Sequence, residues 1–167
     1  AISTVFGMFV IGLNQGMQPI AGYNYGSRQF DRLMRVLRLA IASATAIMVV
    51  GWVVGMFFPR LVARMFTSDA QLIKMSVMAI HYNMLMFPFI GFQMVVTNFF
   101  QCIGKVKISI FLSLSRQLIL LIPLLIVLPL RFNLDGVWAA VPTSDFTSAI
   151  IAGVFMFWYM RKFKRAV

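Results

Sequence analysis

The sequence predicts an all-α, polytopic transmembrane bundle of about five spanning helices. Long apolar runs cover about 2–25, 39–58, 75–103, 108–130 and 136–160, and a helix that crosses a bilayer needs roughly 20 mostly apolar residues. The 167 residues are 61% apolar, with a mean hydropathy of +0.90. Only 11% are charged, against roughly 25% in a typical water-soluble domain. That is too little charge to cover a soluble surface.

Each element has its own punctuation. Tyr23-Asn-Tyr-Gly26 ends the first run, and residues 29–38 read as an amphipathic cytoplasmic segment leading into the second. Pro59 stops the second run, and Asp69 or Ser68 caps the third. Asn133-Leu-Asp-Gly136 reads as an extracytoplasmic turn between the fourth and fifth. No internal repeat, low-complexity stretch or soluble linker appears, so residues 1–167 form one transmembrane domain.

Charge gives the runs a direction. The first connection carries Arg28, Arg32, Arg35 and Arg38 against Asp31, the third carries Lys105 and Lys107, and the tail carries Arg161, Lys162, Lys164 and Arg165. Those ten cations share one side, whereas Arg60, Arg64, Lys74 and Arg131 make four on the other. Cytoplasmic loops carry the excess of Lys and Arg, so the tail is expected in the cytoplasm and the first run enters from outside. The net charge of +11 thus follows from topology, which argues against nucleic acid as a partner. Ala1 is no initiator methionine and no basic segment precedes the first run, so a signal peptide is not expected and the chain is expected to continue upstream. Met160 to Val167 reads as a natural cationic end.

Polar side chains within spans point to function, because in lipid they tend to face the bundle interior or a water-filled cavity. Gln93, Thr97 and Gln101 recur at i, i+4 and i+8 with Asn98 beside them, which is read as one stripe. Such a stripe either lines a cavity or forms interhelical hydrogen bonds. Arg116 lies about nine residues past Lys107, and Asp145 about nine past Gly136. At 1.5 Å per residue each is roughly 13 Å deep, within the middle third of the hydrocarbon core. They either lock their two helices together as a buried charge pair or exchange partner or proton during a transport cycle. Pro19, Pro88, Pro123 and Pro142 are hinge candidates with Pro129 beside them, or else tolerated kinks.

Other residues are read more plainly. His81 fits a packed or interfacial position better than a proton relay, and Cys102 fits inert packing. One cysteine forms no internal disulfide and no cysteine-based metal site. The 13 Met and 17 Phe are first of all lipid-facing and core material. No Gly-rich phosphate loop, paired His or Cys ligands, or Ser-His-Asp set is present, so no catalytic or metal site is expected and the chain is not read as an enzyme.

Four motifs in register carry a family resemblance over essentially the whole chain. Residues 15–26, Gln-Gly-Met-Gln-Pro-Ile-Ala-Gly-Tyr-Asn-Tyr-Gly, precede the basic Arg28–Arg38 segment. Gly91-Phe-Gln-Met leads to Asn98-Phe-Phe-Gln-Cys-Ile-Gly104; Ser115-Arg-Gln117 follows, then Gly136-Val-Trp138 with Pro142-Thr-Ser-Asp145. The sequence resembles the multidrug and toxin extrusion (MATE) transporters. The resemblance implies a two-lobe, twelve-helix fold, of which this chain would be the C-terminal lobe lacking its first helix. It further implies cation-coupled (Na⁺ or H⁺) antiport of cationic or amphipathic small molecules out of the cell, across the bacterial inner membrane. Gln18, Asn24, Gln93, Thr97, Asn98 and Gln101 become substrate-cavity candidates. Some members carry a cation-coordinating acid near the position of Phe92 or Gln93, and this span has none. No cofactor is expected, and the coupling ion is placed in the missing N-terminal lobe. A lipid-linked saccharide flippase of related plan, or a non-transport membrane scaffold, are the alternatives.

Overall fold

A computed structural model describes residues 2–64 and 69–164. Seven α-helices follow one another: α1 (Ile2–Gly26), α2 (Phe30–Phe57), α3 (Pro59–Arg64), α4 (Ala70–Met84), α5 (Phe87–Cys102), α6 (Val106–Leu114) and α7 (Ile122–Lys164). A π-helical segment, Ser115–Leu121, joins α6 to α7, and the described residues contain no strand. Ser68 and Arg165 lie outside the described residues.

The boundaries have local causes. Asp69 caps α4 by accepting a hydrogen bond from the Gln71 amide at 2.8 Å, satisfying a donor that the first helical turn leaves free. Pro59 does not simply end the second run but opens the short α3, a position that needs no N–H. The 29–38 segment is not a separate amphipathic stretch. Apart from Gln29 it forms the first turns of α2, where Leu33, Leu37, Ala40, Ala44, Met48, Gly51 and Gly55 recur at helical spacing as one buried stripe.

The third apolar run differs most from its expected form. It breaks between α4 and α5, whose axes differ by 48°. Pro88 stands in the first turn of α5, where it cannot donate to the α4 ladder. The turn expected at residues 133–136 also takes another form. Helical backbone continues from Ile122 to Lys164, yet the chain folds back within it. Gly136 packs on the Leu128 carbonyl, and Arg116 meets Asp145 across the hairpin. Among the described residues, three helical stretches are long and apolar enough to cross a membrane: Phe30–Phe57, Val106–Leu130 and Gly136–Arg161. The bent α4–α5 pair makes a fourth. With 25 residues, α1 has the length, but Asn14, Gln15, Gln18 and Asn24 interrupt its apolar character.

At the centre stands α5, in contact with α1, α2, α6 and α7. Its Val95, Val96, Phe99 and Phe100 are buried. Gly91 lets α5 lie on α2: a Cβ there would stand 2.9 Å from the Met48 side chain and 3.0 Å from the Ala44 carbonyl oxygen. Close approach of small residues is a main source of helix association in lipid. Gly91→Val is therefore expected to destabilise the fold by about 1–3 kcal/mol, the usual cost of overpacking. A melting curve of the purified full-length protein checks this, with Gly153→Ala, where the nearest atom is 3.9 Å away, as the silent control.

Candidate functional site

The polar groups of the bundle interior form two sets. The first joins α1 to α5. Asn98 donates its side-chain N–H to the Asn14 backbone carbonyl at 3.2 Å. The Asn14 Oδ1 and the Gln93 Oε1 are both buried without a hydrogen-bond partner among the described residues. Leaving such an acceptor unpaired costs about 1–3 kcal/mol. Five residues along the chain, Pro19 has no N–H, so the Gln15 carbonyl loses its intrahelical donor. Gln15 and Gln18 are exposed on α1, beside Gly12 and Gly16 with open space over them.

The stripe on α5 divides. Gln93 is buried, Thr97 half-buried and Gln101 exposed, a gradient from interior to surface. Asn98 does not share their face: one residue past Thr97 is about 100° of rotation, which turns its amide to α1. Gln93 lies on the side of Phe89 and Phe100, whose rings stack edge-on with Phe146 and Tyr159 of α7. Asn24 is buried and donates to the Ile20 carbonyl of its own helix at 2.8 Å. An apolar cleft of about 450 Å³ opens between α2, α5 and α7, lined by Thr45, Pro88, Phe89, Phe92, Phe146 and Ile150.

The second set ties the π-helical segment to α7. The Arg116 Nε donates to the Asp145 Oδ1 at 2.8 Å, forming an ion pair. Asp145 is 4% exposed, and the Arg116 side chain 30%. One serine adds to this contact and two bond within their own helical turns. Ser144 donates to the Arg116 carbonyl at 2.9 Å, Ser148 to the Asp145 carbonyl at 3.2 Å, and Ser115 to the Leu112 carbonyl at 2.9 Å. A π turn is wider than an α turn and displaces its carbonyls from the regular ladder; Ser144 takes up one of them. Pro123 follows two residues after the segment and has no N–H to extend it. Pro142 lies buried within unbroken helix, one turn before Asp145.

Ser144, Ser148 and Asn14 are the residues that sequence reasoning passed over. The serines flank the acid at i−1 and i+3, and Asn14 directly precedes the Gln15 motif. No group of three or more His, Cys, Asp or Glu that could hold a metal occurs among the described residues.

Long apolar helices, a broken span and a polar interior define a multi-pass α-helical membrane protein. The MatE family profile matches residues 1–127, and the chain belongs to that family. It is 22% identical over 145 residues to the multidrug export protein MepA of Staphylococcus haemolyticus, covering 87% of this chain and 32% of that one. It also resembles the ligand-bound structure of the MATE multidrug transporter DinF-BH, at 40% identity and a TM-score of 0.88, over 93% of this chain and 35% of that one. An outward-facing multidrug resistance MATE family transporter shares the fold, with a TM-score of 0.89 at 21% identity over 98% of this chain and 37% of that one. The chain spans about a third of the length of these relatives.

Proposed function

We propose that this chain forms the C-terminal lobe, without its first helix, of a cation-coupled exporter that moves cationic and amphipathic drugs out of the cell in exchange for Na⁺ or H⁺. The carrying observation is the amide face of α1 and α5. Gln15 and Gln18 are exposed partway along a helix of spanning length, where lipid would be a poor neighbour. On the same helix the buried Asn14 Oδ1 stands unpaired, and Asn98 of α5 reaches across to the Asn14 carbonyl. Uncharged acceptors bind an organic cation weakly enough to release it. The relatives named for multidrug export support the same reading.

In this account an N-terminal lobe supplies the other wall and the coupling ion. No acid stands at Phe92 or Gln93, and the buried Asp145 is already paired with Arg116. Pro88, at the α4–α5 bend, and Pro123, beside the π segment, are the hinge positions this reading favours. The excess of cations supports a tail in the cytoplasm of a bacterial inner-membrane protein. A saccharide flippase would need free cations deep in its cavity, whereas Arg116 is neutralised.

The test is transport of ethidium by the full-length protein in proteoliposomes, under an imposed Na⁺ or H⁺ gradient. Gradient-dependent dye movement is expected with one of the two ions; movement with neither would defeat the proposal. Gln93→Leu separates cavity from scaffold. It removes an unpaired buried acceptor, so thermal stability should hold or rise, while dye transport should fall about tenfold. Unchanged transport would assign Gln93 to packing.

A further inference from the structure

We propose that the arginine end of α2 is a binding site for an anionic phospholipid, whose phosphate sits among guanidinium groups and whose acyl chain lies along the α2 wall. It rests on the orientation proposed above but not on drug export itself. A cavity of about 1250 Å³ opens beside the first turns of α2 and is rimmed by Arg28, Arg32, Arg35 and Arg38. One acid, Asp31, also lines it. All four arginines are exposed, and none is in an ion pair among the described residues, although Asp31 and Arg35 stand at i and i+4. A surface helix that merely solvated its charges would commonly pair these two. The cluster therefore keeps an excess of three positive charges around one opening.

The remaining walls are not those of a site for a free anion. Leu39, Ala42, Phe99 and Met160 line the cavity beyond the rim, and Leu39 is 61% exposed. Along α2 the cationic positions Arg32, Arg35 and Arg38 come first and the apolar Leu39 and Ala42 follow, the order in which a headgroup and its acyl chain meet a helix entering the bilayer. The ten residue steps from Arg32 to Ala42, at 1.5 Å each, give roughly 15 Å of contact. Guanidinium forks match phosphate oxygens in geometry as well as charge. Basic pockets between spanning helices on the cytoplasmic side have the chemistry to hold anionic headgroups.

The experiment is native mass spectrometry of the full-length protein with added phosphatidylglycerol or phosphatidylcholine. Wild type is expected to retain phosphatidylglycerol preferentially. Each basic residue near an anionic surface is worth roughly fivefold in binding, so Arg32→Gln/Arg35→Gln/Arg38→Gln should lose at least tenfold of that preference. Ala42→Phe keeps every charge but fills the acyl path, and it too should lose bound lipid; this variant carries the test if the triple variant does not fold. Equal retention by these variants would overturn the site. Displacement of the lipid by millimolar inorganic phosphate would overturn it as well, marking a soluble-anion site. Dye transport measured on the same preparations reports on export separately, so failure of one reading does not imitate failure of the other.

Discussion

Asp145→Asn is expected to lower the stability of the full-length protein by about 3 kcal/mol, and Arg116→Gln together with Asp145→Asn to lower it by less. The single change leaves a guanidinium without its counter-charge inside the bundle. Breaking a buried pair from one side costs roughly 3–5 kcal/mol, and the lower end applies because the Arg116 side chain is 30% exposed. The double variant replaces the pair by two neutral amides that can still hydrogen-bond across the hairpin. A double-mutant cycle on melting temperature should thus give a coupling of about 2 kcal/mol. Additive losses would mean that the 2.8 Å contact contributes nothing specific. Ser144→Ala tests the adjoining bond. It frees the Arg116 carbonyl and should cost about 1 kcal/mol.

Gly136→Val is the second large effect, and its cause is backbone geometry. A Cβ at this position would overlap the Leu128 carbonyl and come within 2.8 Å of the Pro129 nitrogen. Neither atom belongs to a flexible side chain, so the two arms of the hairpin must separate. Overpacking alone costs about 1–3 kcal/mol, and separation would also move Arg116 from Asp145. We expect the folded fraction to drop sharply in size-exclusion chromatography of the detergent-solubilised protein, with Gly136→Ala intermediate. In a Gly136→Val background the Arg116–Asp145 coupling should vanish. A fully folded variant that keeps the coupling would show that Gly136 does not set the hairpin.

Membrane class and helical content follow from apolar run length, which tertiary contacts barely alter, and the contact of Arg116 with Asp145 is one of the two arrangements that their spacing allows. Run length alone does not locate the break at Met84–Phe87, because an apolar stretch reads the same bent or straight; only Pro88 hints at it. The π segment is invisible for a similar reason, since Ser115-Arg-Gln117 has no composition that distinguishes a π turn from an α turn. Spacing groups Asn98 with Thr97 on one stripe, although adjacent helical residues point about 100° apart. The partner of Asn98, the Asn14 carbonyl, is 84 residues away in sequence. Long-range partners of this kind depend on how α1 packs on α5, which periodicity within either helix does not encode.

The central claim is that the amide face of α1 and α5 is one wall of a substrate path, and site-directed labelling tests it most directly. In the full-length protein with Cys102→Ser, single cysteines at Gln18 and Gln101 should react with a membrane-impermeant maleimide, and ethidium should protect Gln18→Cys. Phe9→Cys, on an exposed apolar position of the same helix, should stay unlabelled in lipid. Labelling at Gln18 that ethidium slows at least threefold is the predicted result. No labelling at Gln18, or labelling that no cationic dye alters, would contradict the account.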